Sequence, residues 1–180
     1  MDKEKKKKAG EQDFLETINP RDAVEILKIL YAQDVKVAKR IERAGNQYLS
    51  GVDLGQIAEK VYSSLDRLDI VELSGRSGSG PHGYEEPGNV ACEMIEETLE
   101  PFWAEMKKYQ KFSKTTEAKF YCMGILKGIN RYEKESRSQV KDWAGDGVSE
   151  YFYWIYKEWE KGCRNPQERK EMKEFVEVNK

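Results

Sequence analysis

LGQIAEKVYSSLDRL, residues 54–68, decides the fold class. Leu54, Ile57, Ala58, Val61, Leu65 and Leu68 recur every three or four residues, the spacing that gathers side chains on one side of an α-helix, and Asp53 stands ready as its N-cap. The same period extends in both directions. Asn19-Pro20 reads as a helix start, with Ala23, Ile26, Leu27, Leu30 and Tyr31 at helical spacing behind it, giving a helix over about 20–32. Asp34 caps a second helix with the stripe Val37, Ala38, Ile41, Gly45 and Tyr48, in which the small Ala38 and Gly45 admit a close neighbour. The short gaps between these three segments call for antiparallel neighbours, an αα-hairpin extended by one helix.

Downstream, Ala91, Met94, Ile95, Leu99, Phe102, Trp103, Met106 and Tyr109 form a stripe that runs straight through Pro101. Pro101 falls outside the centre of that stripe, so its ring faces solvent and the helix continues with a kink. A fifth helix starts near Ser113 or Thr115 and buries Ala118, Tyr121, Cys122, Ile125, Ile129 and Tyr132, with Gly124 and Gly128 either weakening it or letting a neighbour come close. A charge-rich connection over 134–147 leads to a sixth helix at 147–162, and Asn165-Pro166 opens a seventh carrying Met172, Phe175 and Val176. No segment alternates as a strand does. The expectation is an all-α chain of about seven helices in antiparallel hairpins, an irregular bundle or short α-solenoid, occupying 13–180 as a single domain. Residues 1–12, with Lys3 and Lys5 to Lys8 and almost nothing apolar, read as a disordered tail. Residues 74–89, SGRSGSGPHGYEEPGN, lose all periodicity and read as a flexible loop in which Arg76, His82 and Tyr84 are the candidate site residues.

Composition excludes whole classes of function. Charged residues are 36% of the 180, yet 33 acids against 31 bases leave a net charge of -2, too little positive excess for a chain that coats nucleic acid or anionic lipid. No apolar run reaches the ~18 residues of a membrane span, and no apolar segment follows the lysine-rich start, so a cytoplasmic chain without a membrane partner is expected. Cys92, Cys122 and Cys163 are odd in number and widely spaced, which fits reduced thiols better than a disulfide framework or paired zinc knuckles. His82 is the single histidine, which removes most zinc hydrolase chemistry. No metal or cofactor is expected.

Gly75 to His82 resembles a phosphate-cradling loop in its glycines alone, since a P-loop needs a strand before it and Lys-Ser or Lys-Thr opening a helix after it. Glu93, Glu96, Glu97 and Glu100 share one side of the fourth helix, and carboxylates one turn apart hold Mg²⁺ in all-helical nucleotide pyrophosphohydrolases, but the ExxD pair those enzymes carry on a later helix is missing. Cys122 lies on an apolar stripe with no histidine near it in sequence and reads as a structural thiol. The polar run Arg131, Glu133, Lys134, Glu135, Arg137, Lys141 and Asp142 reads as a solvated loop or, failing that, a recognition ledge. The densest signal is aromatic: Trp143, Tyr151, Phe152, Tyr153, Trp154, Tyr156 and Trp159 fall within seventeen positions. Val148, Phe152, Ile155, Tyr156 and Trp159 make one face of the sixth helix, whereas Tyr153 and Trp154 point elsewhere. Trp143, Tyr153 and Trp154 are therefore the candidate partner-binding residues, with self-association the expected use.

The run LDRLDIVEL at 65–73, RSGSGPHGYEEP at 76–87, YCMGILKGINRYEKES at 121–136 and KDWAGD at 141–146 resembles an uncharacterised class of prokaryotic helical segments, some of which lie downstream of a SWIM-type zinc finger in larger proteins. The likeness covers roughly residues 20–163 and implies a helical-hairpin module with no established activity. The finger's Cys-x-Cys and Cys-x-His elements are not present, so the resemblance brings neither zinc nor a nucleic-acid role. The expected function is a non-enzymatic protein–protein interaction or scaffold module. Its alternatives are a Mg²⁺-dependent nucleotide-processing enzyme built on Glu93, Glu96, Glu97 and Glu100, and a nucleic-acid accessory protein using the lysine tail.

Overall fold

A computed structural model describes residues 17–48, 51–80 and 83–179. The fold is all-α. Nine helices and one two-stranded hairpin occur among the described residues, and the chain divides into two compact units, Met1–Ser50 and Gly51–Lys180. The division falls inside the stretch expected to form a single domain over 13–180; the tail expected at 1–12 lies outside the described residues.

In the first unit α1 (Pro20–Gln33) and α2 (Val35–Tyr48) meet at Asp34. Asn19 Oδ1 accepts from the Asp22 amide at 2.9 Å, and Asp34 Oδ1 accepts from Lys36 N at 2.6 Å, so both helices begin on the side chains the sequence marks as caps. Tyr31 Oη donates to Glu42 across the pair at 2.6 Å. The apolar stripe of α1 does not make a core: Ile26, Leu27, Leu30 and Tyr31 are all exposed, and no described side chain of this unit is buried. Gly45 admits no close neighbour either, since a Cβ there would meet nothing within 4 Å.

The second unit is built around α6 (Thr115–Glu135), against which α3 (Leu54–Asp66), α5 (Pro87–Lys111), α8 (Gly147–Gly162) and α9 (Pro166–Val178) all pack. Ile57, Ala58, Val61 and Leu65 of α3 are buried as their spacing requires. They lie against Gly124 and Gly128, where a Cβ would come within 2.7 Å of Ile57 Cβ and 2.6 Å of Val61 Cβ. The glycines therefore mark the place where two helix backbones touch. α5 runs unbroken through an exposed Pro101 and buries Met94, Ile95, Leu99, Met106 and Tyr109. On α8 Val148, Phe152, Ile155 and Trp159 are buried, Trp159 to 1% exposure. Cys92, Cys122 and Cys163 are free, and burial pushes the thiols of Cys122 and Cys92 up, keeping them protonated.

Three elements depart from the sequence expectation. The third helix stops at Asp66, and a separate α4 (Ile70–Arg76) follows, capped by Asp69, whose side chain accepts from Val71 N at 2.8 Å. A further short helix, α7 (Gln139–Ala144), occupies the charged connection. The glycine-rich stretch 74–89 is not a structureless loop. Its first residues finish α4, β1 (Gly78–Gly80) pairs antiparallel with β2 (Gly83–Glu85), and Pro87 opens α5. Gly78 and Gly83 sit at φ +95° and +123°, values that side-chain-bearing residues rarely adopt, so glycine shapes both ends of this hairpin. No helix among the described residues is long and apolar enough to cross a membrane.

Candidate functional site

The outward face of α8 carries Glu150, Tyr153, Trp154, Lys157 and Lys161, successive residues falling about one turn or less apart. Because Phe152, Ile155 and Trp159 hold the opposite face in the core, Tyr153 and Trp154 cannot turn inward; they remain 47% and 38% exposed. Trp154 is held in place from the side. Its ring meets Trp103 of α5 edge-on, centroids 4.6 Å apart at 66°, and Lys107 Nζ stands 5.7 Å from the Trp154 centroid. Lys107 in turn pairs with Glu158 at 2.9 Å, and Glu158 also receives Lys161, so the two ammonium groups hold its carboxyl below the usual carboxylate range. The result is a pair of tryptophans in fixed orientation with a charged border.

The three expected partner-binding residues are all exposed but do not form one patch. Tyr153 leans the other way from Trp154, over a shallow groove lined by Asn130, Glu133, Lys134, Ser149 and Phe152. Trp143, 54% exposed, belongs to α7, and its carbonyl oxygen stands 3.3 Å from where a Cβ on Gly88 would be. Gly88 and Trp103 are separated by roughly 22 Å along α5 at the rise of an α-helix, which places Trp143 at the far end from the tryptophan pair. Trp103 is the residue that sequence reasoning missed. It falls four residues after Leu99 and three before Met106, so helical periodicity alone assigns it to the core stripe. Only the approach of α8 reveals it as half a surface pair.

The expected loop site is dispersed. Arg76 turns to α5 and grips Glu97 with both guanidinium nitrogens, at 2.8 and 2.9 Å, with Glu72 and Glu93 at 3.6 and 3.7 Å. Tyr84 is exposed on β2 across from Ser79, and His82 lies outside the described residues. The same contacts change the reading of the glutamate face. Glu93, Glu96, Glu97 and Glu100 line a shallow depression with Trp103, yet Glu97 is held below the ordinary carboxylate range by its hydrogen bonds from Arg76. Glu96 accepts from Tyr151 Oη at 3.0 Å; burial, then that carboxylate, push the Tyr151 phenol up. Three of the four carboxylates, Glu93 and Glu97 with Arg76 and Glu96 with Tyr151, thus already have protein partners, and among the described residues no group of three or more His, Cys, Asp or Glu side chains is arranged to hold a metal ion.

The polar run after Arg131 is mostly a brace between helices. Arg131 pairs with Glu59 of α3 and with Glu135, and its guanidinium lies 4.1 Å over the Tyr62 ring. Ser136 Oγ donates to Asp66 at 2.6 Å, and Lys141 Nζ donates to the carbonyls of Ser136 and Glu133. These contacts tie the end of α6 to α3 and to the start of α7. A buried Glu168 does the same at the other end of α6, accepting from Thr115 and Thr116 hydroxyls at 3.3 and 3.1 Å. Comparison with protein-family models, with curated proteins and with solved structures returns no match to this chain.

Proposed function

We propose that this chain is a non-enzymatic helical interaction module that captures a protein partner on the α5–α8 surface centred on Trp103 and Trp154. The observation that carries the reading is the edge-on tryptophan pair, 4.6 Å between centroids, kept partly open to solvent although the helix behind it is fully anchored. Tryptophan gives the largest contact area for the least loss of side-chain freedom, and a ring already locked by a neighbour loses still less on binding. Lys107, Glu158 and Lys157 supply the polar rim that such anchors have in protein interfaces. The Mg²⁺-enzyme reading is weakened by the engagement of Glu97 with Arg76 and of Glu96 with Tyr151, since a metal would have to displace both.

The experiment compares the wild-type chain with Trp154→Ala and Trp103→Ala as affinity bait, with circular dichroism confirming that each variant keeps its helices. Proteins retained by the wild type and lost from both variants support the reading. Identical retention by all three, or saturable Mg²⁺ binding in calorimetry that Glu97→Gln abolishes, overturns it.

A further inference from the structure

We infer that the partner captured on the α5–α8 surface presents a basic segment, one arginine of which lies on Trp103 within reach of Glu100. This rests on the interaction role proposed above and names the chemistry of the partner. Its starting point is the distribution of charge along the two helices. α5 and α8 run side by side in the same direction, with Glu96 beside Tyr151, Trp103 beside Trp154 and Lys107 beside Glu158. Beyond the tryptophans the charges are matched: Lys107 and Lys161 share Glu158, Lys108 pairs with Glu105 and Lys157 with Glu160. Before the tryptophans they are not. α5 has no basic residue ahead of Lys107, and α8 has none ahead of Lys157. Among the described residues only the guanidinium of Arg76 answers Glu93 and Glu97, and it is shared with Glu72. Tyr151 gives Glu96 a hydrogen bond but no charge.

The aromatic edge meets this unmatched charge at Trp103. Elsewhere in the second unit a ring on the surface already has a cation from the chain: Lys107 beside Trp154, Lys119 beside Phe120, Arg131 over Tyr62 and Lys157 beside Tyr156. Trp103 has none among the described residues, although its indole lines the same shallow depression as the glutamates. Glu100, one turn before it on α5, is exposed and has no ion-pair or hydrogen-bond partner among the described residues. Arg76 shows how this row of carboxylates holds a guanidinium, with two nitrogens on Glu97 at 2.8 and 2.9 Å. A second guanidinium, supplied from outside, has the same carboxylate geometry at Glu100 and an indole face to lie on as well. Indole is the strongest aromatic acceptor for a cation, and the planar fork of arginine can stack on a ring while it pairs with a carboxylate. Charge complementarity therefore selects a basic partner, and an acidic one is repelled by the same glutamates.

The test is an NMR titration of the full chain with the blocked pentapeptide Gly-Arg-Gly-Arg-Gly, followed on the tryptophan indole N–H signals, with Trp103→Phe assigning the one that disappears. The Trp103 signal is expected to shift saturably, and a peptide with citrulline in place of arginine, equal in shape but uncharged, to leave it in place. Glu100→Gln, at an exposed position that should not change the thermal melt, is expected to raise the dissociation constant about threefold, and Trp103→Ala about tenfold. Added salt should weaken binding. A Trp103 signal unmoved at tens of millimolar peptide, equal shifts from the arginine and citrulline peptides, or an affinity untouched by Glu100→Gln overturns the inference. So does tighter binding of Gly-Glu-Gly-Glu-Gly, or of spermidine, whose ammonium groups would mark a small polyamine as the ligand. Proteins lost from the Trp103→Ala and Trp154→Ala baits but kept by Glu100→Gln bait in high salt also overturn it, while leaving the capture role of the tryptophan surface standing.

Discussion

The seam between α3 and α6 and the seam between α5 and α8 are both helix pairs of the second unit, and they use opposite means. At the first, Gly124 and Gly128 bring no side chain of their own to the contact, so that Ile57 and Val61 rest on bare backbone. At the second, Trp103 and Trp154 stand between the helices at the rim and hold part of the aromatic surface in water. The first seam leaves nothing for a partner to touch. The second leaves a rigid aromatic edge. On the proposed reading, fold stability and recognition fall to different contacts, and substitutions should separate them.

The largest effect is expected at the glycine seam. Gly128→Val places branched carbons where even a Cβ lies 2.6 Å from Val61 Cβ and 2.7 Å from the Ala58 carbonyl oxygen, part of which is immovable backbone. Urea denaturation should show a loss of about 3 kcal/mol or more, since overpacking of this kind cannot relax by a rotamer change. At the tryptophan seam Trp154→Ala should lose less, about 1–2 kcal/mol, because the ring is 38% exposed and gives up chiefly its contact with Trp103. If Trp154→Ala destabilises as much as Gly128→Val, the two seams are not different in kind. Gly45→Ala, on α2 with open space around it, should reverse the sign and raise stability of the first unit by about 0.5–1 kcal/mol through helix propensity alone.

The smallest expected effect is electrostatic. Glu97 has its carboxyl held low by Arg76, so the folded state binds its proton later than the unfolded chain does as pH falls. The pair's contribution is therefore complete above the unfolded glutamate value of about 4.3 and disappears as pH drops through the lower folded value. Glu97 is 61% exposed and Arg76 31%, so solvent screening keeps the contribution at neutral pH below about 1 kcal/mol. Glu97→Gln should show that small deficit at pH 7 and a shrinking one as pH falls below about 4 in parallel thermal melts.

Long periodic segments were legible in the sequence, and short ones were not. The stripe of α3, the caps Asn19, Asp53 and Asn165, and the run of α8 over Gly147–Gly162 all follow from side-chain spacing, because a helix of three or more turns repeats its pattern. α4 and α7, seven and six residues long, complete too few turns for a period to emerge. The hairpin of Gly78–Gly80 and Gly83–Glu85 has almost no side chains to alternate, and its conformation rests on glycine φ values that no hydropathy pattern records. At the candidate site, Tyr153 and Trp154 were recognisable as lying off the buried face of their helix. Their separation from Trp143, and the partnership of Trp154 with Trp103, depend on which helices neighbour one another, a tertiary fact that no local spacing contains.

Pro101 gives α5 a mechanical property. Having no amide hydrogen, it leaves the carbonyl of Glu97 without its ladder bond on the solvent side, midway along a 25-residue helix. The half before it is fastened to α4 by Arg76 and to α7; the half after it carries Trp103 and Lys107 toward α8. α5 is thus two rods spliced at a weak joint, and a load placed on the tryptophan edge bends the helix there before it disturbs the glutamate-bearing half.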